Sequence, residues 1–147
     1  MGSLTLPPSG LVYVDTQVFI YSVEKRPQYA AILRPFWEAV QAGKIEAVSS
    51  ELSLMETLIG PLKKGNVTLV ADYEHLFAHT GLRLLPITRP VLHEAARLRA
   101  TISGLRTPDA LHAATALLFQ SALFITNDDG FRRIPGLPLV VLSDFVA

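Results

Sequence analysis

Short segments rich in aliphatic residues, at 11–14, 45–48, 82–87, 123–126 and 139–142, are separated by stretches of helical length rather than by two-residue turns. Strands joined in this way cannot pair as tight hairpins, so the alternation predicts a mainly parallel sheet with helices on both faces. Residues 11–14 carry the clearest signal. They are continuously apolar and partly β-branched, as a strand buried on both faces requires, and the pattern stops at Asp15. The expected fold class is therefore α/β, a three-layer α/β/α sandwich.

Between these strands the spacing predicts helices over 16–21, 28–43, 51–62, 67–80, 90–103 and 108–120. Pro27 opens the second of these, and Pro35 is expected to kink or divide it. Ser49 or Ser50 is the expected N-cap of the third, which ends in Lys63, Lys64 and Gly65, cations and a glycine suited to a helix C-terminus. Thr107 as N-cap, followed by Pro108 at the first helical position, opens the last. The polar turn from Asn127 to Gly130 should lead into a helical hook near Ile134.

A chain of 147 residues suits one domain. Residues 1–10, with two prolines and two glycines, are expected to form a disordered lead to a single domain over 11–147. Half the residues are hydrophobic and 18% are charged, which implies a substantial core. Thirteen basic residues balance thirteen acidic ones, so the broad basic footprint of a non-specific duplex binder is missing and any nucleic-acid site must be local. The absence of cysteine excludes disulfides and thiolate metal sites and suits a reducing compartment. No apolar run reaches membrane-spanning length, so a soluble, cytoplasmic protein with no membrane partner is expected.

Open parallel sheets bind ligands beyond the carboxyl ends of their strands, which gives weight to acids at those ends. Asp15 follows the first strand and Asp128 the fourth, so both should share one rim, although a helix cap and an Asx turn would account for them singly. Glu56 falls among Leu52, Met55 and Ile59, at the spacing of one apolar helical face. A carboxylate buried there needs a cation, a hydrogen-bond network or a raised pKa, an internal ion pair being the structural alternative. Asp109 lies in a first helical turn, where the helix dipole favours any acid, while His112, Ala113 and Ala116 are small or polar enough to leave a cleft beside it. Carboxylates brought together repel one another unless a divalent cation offsets them. Oxygen-only ligands point to magnesium or manganese, which can bind a phosphate oxygen and activate water for phosphodiester hydrolysis.

Four local sequences carry these acids: VYVDTQVFIYS around Asp15, SSELSLMETL around Glu56, RTPDALHAATAL around Asp109 and FITNDDGFRRI around Asp128. Their order, spacing and neighbours resemble a PIN domain, in particular the VapC-like toxins of bacterial and archaeal toxin–antitoxin pairs, over nearly the whole chain from Leu11 to Val146. The resemblance implies a parallel α/β/α sandwich and a magnesium- or manganese-dependent endoribonuclease acting on RNA. It also implies a homodimer and a small antitoxin protein that blocks the site. Asp15, Glu56 and Asp109 match the family's core acids, Asp128 its fourth, and Thr126 a hydroxyl residue found beside that fourth acid. Glu51 is the rival for the second acid, but its first-turn position is explained by the helix dipole.

As a mechanism, Asp15, Glu56 and Asp109 would hold a metal directly or through water, with Asp128 binding a second ion or orienting the attacking water and Thr126 fixing the arrangement. Arg106, Arg132 and Arg133 flank the third and fourth motifs as candidate phosphate contacts, followed by Lys63 and Lys64, with solvated surface charges the ordinary reading. His112 reads as a packed or surface histidine able to assist by hydrogen bonding. His75 and His79 are four apart but have no third ligand nearby in sequence. Tyr29, Phe36 and Trp37 read as core residues, or as a surface for a dimer or antitoxin. Two other functions fit the pattern less closely. One is a PIN-like scaffold without catalysis, and the other is a phosphoacceptor receiver, which would need paired acids after the first strand and a late lysine.

Overall fold

Side chains alternate across each strand and so divide the core into two halves. In a computed structural model that describes residues 3–78 and 81–146, the elements run β1 (Leu11–Val14), α1 (Thr16–Val23), α2 (Pro27–Gln41), β2 (Glu46–Ser50), α3 (Leu52–Lys64), α4 (Val67–Phe77), β3 (Leu82–Leu85), α5 (Arg89–Thr101), α6 (Thr107–Leu118), β4 (Leu123–Thr126) and β5 (Leu139–Val141). Short 3-10 turns occupy Asp129–Arg133 and Leu142–Phe145. Val12, Val14, Ala47, Leu82 and Ile125 face one side and pack on Val18 and Phe19 of α1, Leu33, Phe36 and Val40 of α2, and Tyr73 of α4. Tyr13, Val48, Leu85 and Phe124 face the other and pack on α5, α6 and Phe131. The result is the expected α/β/α sandwich.

All strand pairs are parallel, in the order β3-β2-β1-β4-β5. The chain moves outward from β1 to β3 and then returns to place β4 on the free side of β1. Right-handed crossovers in opposite directions require opposite faces. This is why α1, α2 and α4 cover one face while α5 and α6 cover the other. The order also differs from the 2-1-3-4-5 arrangement of flavodoxin-like receiver domains. That topology removes the receiver reading.

Several local expectations need correction. Pro35 lies within one uninterrupted helix and does not divide it. Thr107 is not the N-cap of α6: Arg106 occupies that position without a side-chain cap bond, and the Thr107 hydroxyl accepts from Arg99 Nη1 at 2.9 Å. Glu51 holds the cap position of α3, while Ser50 Oγ accepts the Leu52 N–H at 3.0 Å from the strand end. β3 stops at Leu85, before Pro86, which has no N–H to extend the ladder. α4 ends at Phe77, and residues 79 and 80 of its expected extent, including His79, lie outside the described residues. The lead has no regular structure over 3–10, yet Leu4 is buried and Leu6 packs against the same half of the core as α2. Phe36 is fully buried, while Trp37 is partly buried and donates its indole N–H to Ser22 Oγ at 2.8 Å. Among the described residues no helix is long and apolar enough to cross a membrane.

The second half of the core is keyed by an aromatic stack. Phe124 lies parallel to Tyr13 at 4.9 Å and tilted to Phe131, also at 4.9 Å. Phe124→Ala should therefore lower the unfolding free energy by about 3–5 kcal/mol, read as a lower urea midpoint with an unchanged slope.

Candidate functional site

The extended pairing of β1 with β4 ends at Asp15, whose N–H donates to Ile125 O at 3.1 Å. Asp15 then caps α1. Its Oδ1 accepts the Gln17 N–H at 3.1 Å and its Oδ2 accepts the Thr126 hydroxyl. Thr126 Oγ1 in turn accepts the Asp128 N–H at 3.0 Å, and Asp128 Oδ1 accepts the Gly130 N–H at 2.8 Å. A Cβ at residue 130 would sit 3.0 Å from that oxygen, so glycine is what admits the Asp128 carboxylate to its turn. Asp15 and Asp128 thus fill ordinary capping and turn roles while standing at one rim, joined through the hydroxyl of Thr126.

Glu56 reaches the same rim, though not from a buried apolar stripe. The face of α3 that enters the core is Ser53, Thr57 and Pro61, whereas Met55 and Ile59 are 55% and 46% exposed. The helix turns a polar face inward because a polar network is waiting for it. Glu56 Oε1 accepts from Thr16 Oγ1 at 2.6 Å and meets His112 Nε2 at 2.8 Å, while Ser53 Oγ lies 2.7 Å from Ser49 Oγ and 3.1 Å from Thr16 Oγ1. Partial burial pushes the Glu56 carboxyl upward, but the hydrogen bonds from His112 and Thr16, helped by the proximity of His112 and Arg106, hold it below the ordinary value. Asp15 goes the other way. It is only 5% exposed, and burial raises its carboxyl from near 3.8 to about 6 against the hydrogen bond of Thr126 and the proximity of His112.

Asp109 stands in the first turn of α6, with Arg106 Nε 3.4 Å from its Oδ2. Of the three residues expected to leave a cleft beside Asp109, His112 lines it, whereas Ala113 and Ala116 are buried and let α6 lie close on the sheet. His112 is 3% exposed and belongs to the site network, a role that only its distant partners Tyr13 and Glu56 reveal. Of the three candidate arginines, Arg106 lines the cleft. Arg132 is engaged with Asp129 and Asp144, each at 2.7 Å, and Arg133 donates to Ser103 O at 2.6 Å and Gly130 O at 3.1 Å. Their charges brace the loop after β4. Lys63 and Lys64 are exposed at the far end of α3.

Asp15, Glu56, Asp109 and Asp128 line one open cleft of about 190 Å³, together with Thr16, Gln17, Arg106, His112 and Phe131. Among the described residues, no three His, Asp or Glu side chains stand close enough together to hold a metal ion between them. The donors form instead a rim of carboxylate oxygens, and no hydrogen bond engages Glu56 Oε2, Asp128 Oδ2 or Asp109 Oδ1 among the described residues. Donors of this kind, spaced in this way, would meet a hard divalent cation only if it kept several of its waters.

The sequence pattern of the PIN domain matches residues 12–137. The chain belongs to the PIN domain family, whose three-layer parallel fold it has. A comparison with curated protein sequences returned no match. Among solved structures, the chain is similar to VapBC2 from Rickettsia felis bound to a DNA fragment from its promoter, with a TM-score of 0.75 and 18% identity over 89% of this chain and 98% of that one. It is also similar to DNA-bound VapBC from Salmonella typhimurium (TM-score 0.71, 19% identity, 89% and 97% covered). A third similar structure is VapBC-1 from nontypeable Haemophilus influenzae (TM-score 0.69, 20% identity, 90% and 98% covered). At these identities the likeness is one of fold.

The raised carboxyl of Asp15 has a consequence for stability. The folded state holds this proton more tightly than the unfolded chain, so the contribution is fully present below pH 3.8 and is lost as pH rises to about 6. In chelator-treated protein, urea titrations from about pH 4 to 7 should show wild type losing about 2 kcal/mol relative to Asp15→Asn. Parallel pH profiles for the two proteins would contradict it.

Proposed function

We propose that this protein is a metal-dependent endoribonuclease that hydrolyses RNA phosphodiester bonds, and that it is the toxin of a toxin–antitoxin pair. The observation that carries the reading is the convergence of Asp15, Glu56, Asp109 and Asp128 on one open cleft at the carboxyl ends of parallel strands. Membership of the PIN domain family supports the nuclease activity and the use of a divalent metal, and the VapBC neighbours support a small antitoxin protein as partner. A homodimer in the cytoplasm completes the reading.

The four carboxylates would hold Mg2+ or Mn2+, directly or through water. When bound, the cation supplies a Lewis acid for a phosphate oxygen and a more acidic water. The chain's own residues do the positioning. Thr126 locks Asp15 and the backbone of Asp128 into one unit, Glu56 is fixed by Thr16 and His112, and the exposed Arg106 at the cleft would pair with a phosphate. A second reading, a scaffold without catalysis, draws on the lack of a three-ligand group among the described residues, but it leaves four acids reaching one cleft without a purpose.

Purified protein should cleave labelled single-stranded RNA with Mg2+ or Mn2+ and stop on addition of chelator. Asp15→Asn and Asp109→Asn should each lose about two orders of magnitude in kcat. Chelator-resistant cleavage, or a mutant as fast as wild type, would overturn the proposed site. Arg106→Ala should weaken RNA binding and flatten the dependence of log K on log salt by about 0.7, the contribution of one phosphate contact on a single strand. An unchanged slope would remove Arg106 from the substrate path.

A further inference from the structure

We infer that Tyr13 and His112 form a buried positioning pair that sets the orientation of Glu56, engaging its Oε1 and leaving Oε2 as the oxygen offered to a divalent cation. This deepens the nuclease reading and rests on it for the identity of the site, but the observations behind it are independent. The three residues come from β1, α3 and α6, and the chain separations of 99 and 56 residues mean that only the finished fold brings them together. Both ring nitrogens of His112 are engaged: Nδ1 lies 2.6 Å from the Tyr13 hydroxyl and Nε2 lies 2.8 Å from Glu56 Oε1.

Tyr13 is held in place by its packing. Its ring is fully buried, stacked within 5° of parallel on Phe124, and packed edge-on against the His112 ring at 5.9 Å. The Glu56 carboxylate can only accept, so Nε2 carries the N–H aimed at it, and Nδ1 of the imidazole is left to accept the Tyr13 hydroxyl. With the opposite tautomer a nitrogen lone pair would face the carboxylate. Thr16 Oγ1 donates to the same Oε1 at 2.6 Å, so two donors hold one oxygen, and among the described residues none holds the other. An apolar side chain would fill the volume of His112 without needing two buried partners. The imidazole supplies what such a side chain lacks, a directional bond to a site acid, and partners of this kind orient metal-binding groups elsewhere.

The test is Mn2+ affinity of the full-length chain, read from free Mn2+ by electron paramagnetic resonance, with thermal melts and RNA cleavage measured alongside. His112→Leu should weaken Mn2+ binding by about 10-fold or more, and His112→Gln, whose amide nitrogen reaches the same point, should recover it to within roughly 3-fold of wild type. Tyr13→Phe, which keeps the ring stack, should fall between them. In RNA cleavage the loss should appear in kcat, with KM nearly unchanged. A folded His112→Leu protein that binds Mn2+ like wild type, or a glutamine no better than leucine, overturns the pair. If His112→Leu does not fold, Tyr13→Phe decides: reduced Mn2+ affinity upholds the pair and wild-type affinity overturns it. Wild-type protein that binds Mn2+ through this series but leaves RNA intact sinks the nuclease reading while upholding the pair. Full cleavage and full affinity in all three variants overturn the pair alone, and absence of Mn2+ binding by wild type overturns both.

Discussion

The direct parallel pairing of β1 with β4 is the constraint on which the rest of this protein depends. β1 lies third of five strands, with β2 on one side and β4 on the other, although β4 follows it by more than a hundred residues. To reach that position the chain must reverse its direction of travel after β3, and right-handed crossovers then place α5 and α6 on the opposite face from α1, α2 and α4. The loops leaving β1 and β4 diverge, which opens a crevice at their carboxyl ends. Asp15, Thr126 and Asp128 stand there because they are the residues that end those strands. The first turn of α6 and the inner edge of α3 complete the rim.

Such a site works against the stability of the protein that carries it. Asp15 is almost completely buried, and its carboxyl resists ionisation. The other acids are compensated from within: Glu56 by His112 and Thr16, Asp109 by Arg106 and the helix dipole, Asp128 by the Gly130 N–H. The compensation is incomplete by design of the topology, since a rim left fully neutralised by protein donors would have no oxygen to give a cation. The hydrophobic core on both faces of the sheet, including the Tyr13–Phe124–Phe131 stack, offsets that cost.

How much of this could be read along the chain follows from the range of the interactions involved. The end of β1 at Asp15 was legible because a two-sided strand must be continuously apolar and a polar residue marks where it leaves the sheet. The fold class was legible for the same reason. Glu56 was selected on a physical argument that fails, because spacing shows that Leu52, Met55 and Ile59 can share a helical face but not whether that face is turned inward. The signal for the true inward face was Ser53 and Thr57: Ser53 joins the polar network of Thr16 and Ser49, and Thr57 turns its hydroxyl back onto carbonyls of its own helix. Arg132 and Arg133 resembled Arg106 in sequence, and only the positions of Asp144 and Ser103 separate a loop brace from a cleft residue. The Tyr13–His112 contact spans 99 residues and leaves no local mark at all.

The ordinary and the functional accounts of the acids therefore do not compete. A strand end that becomes a helix start has a free backbone N–H, and an aspartate is among the best groups to cap it. The carboxylate that does so points by necessity across the carboxyl edge of the sheet, where a parallel topology puts its ligand. Asp15 gives one oxygen to the Gln17 N–H and one to Thr126, and Asp128 gives one to Gly130, its other oxygen meeting no donor among the described residues. Local structure thus fixes where each carboxylate stands, and the long-range pairing of β1 with β4 decides that they stand together. A capping role observed for an acid in a parallel α/β protein is consequently no argument against a metal role. It is the means by which a fold of this kind can hold a carboxylate rigidly at its open edge without a dedicated scaffold.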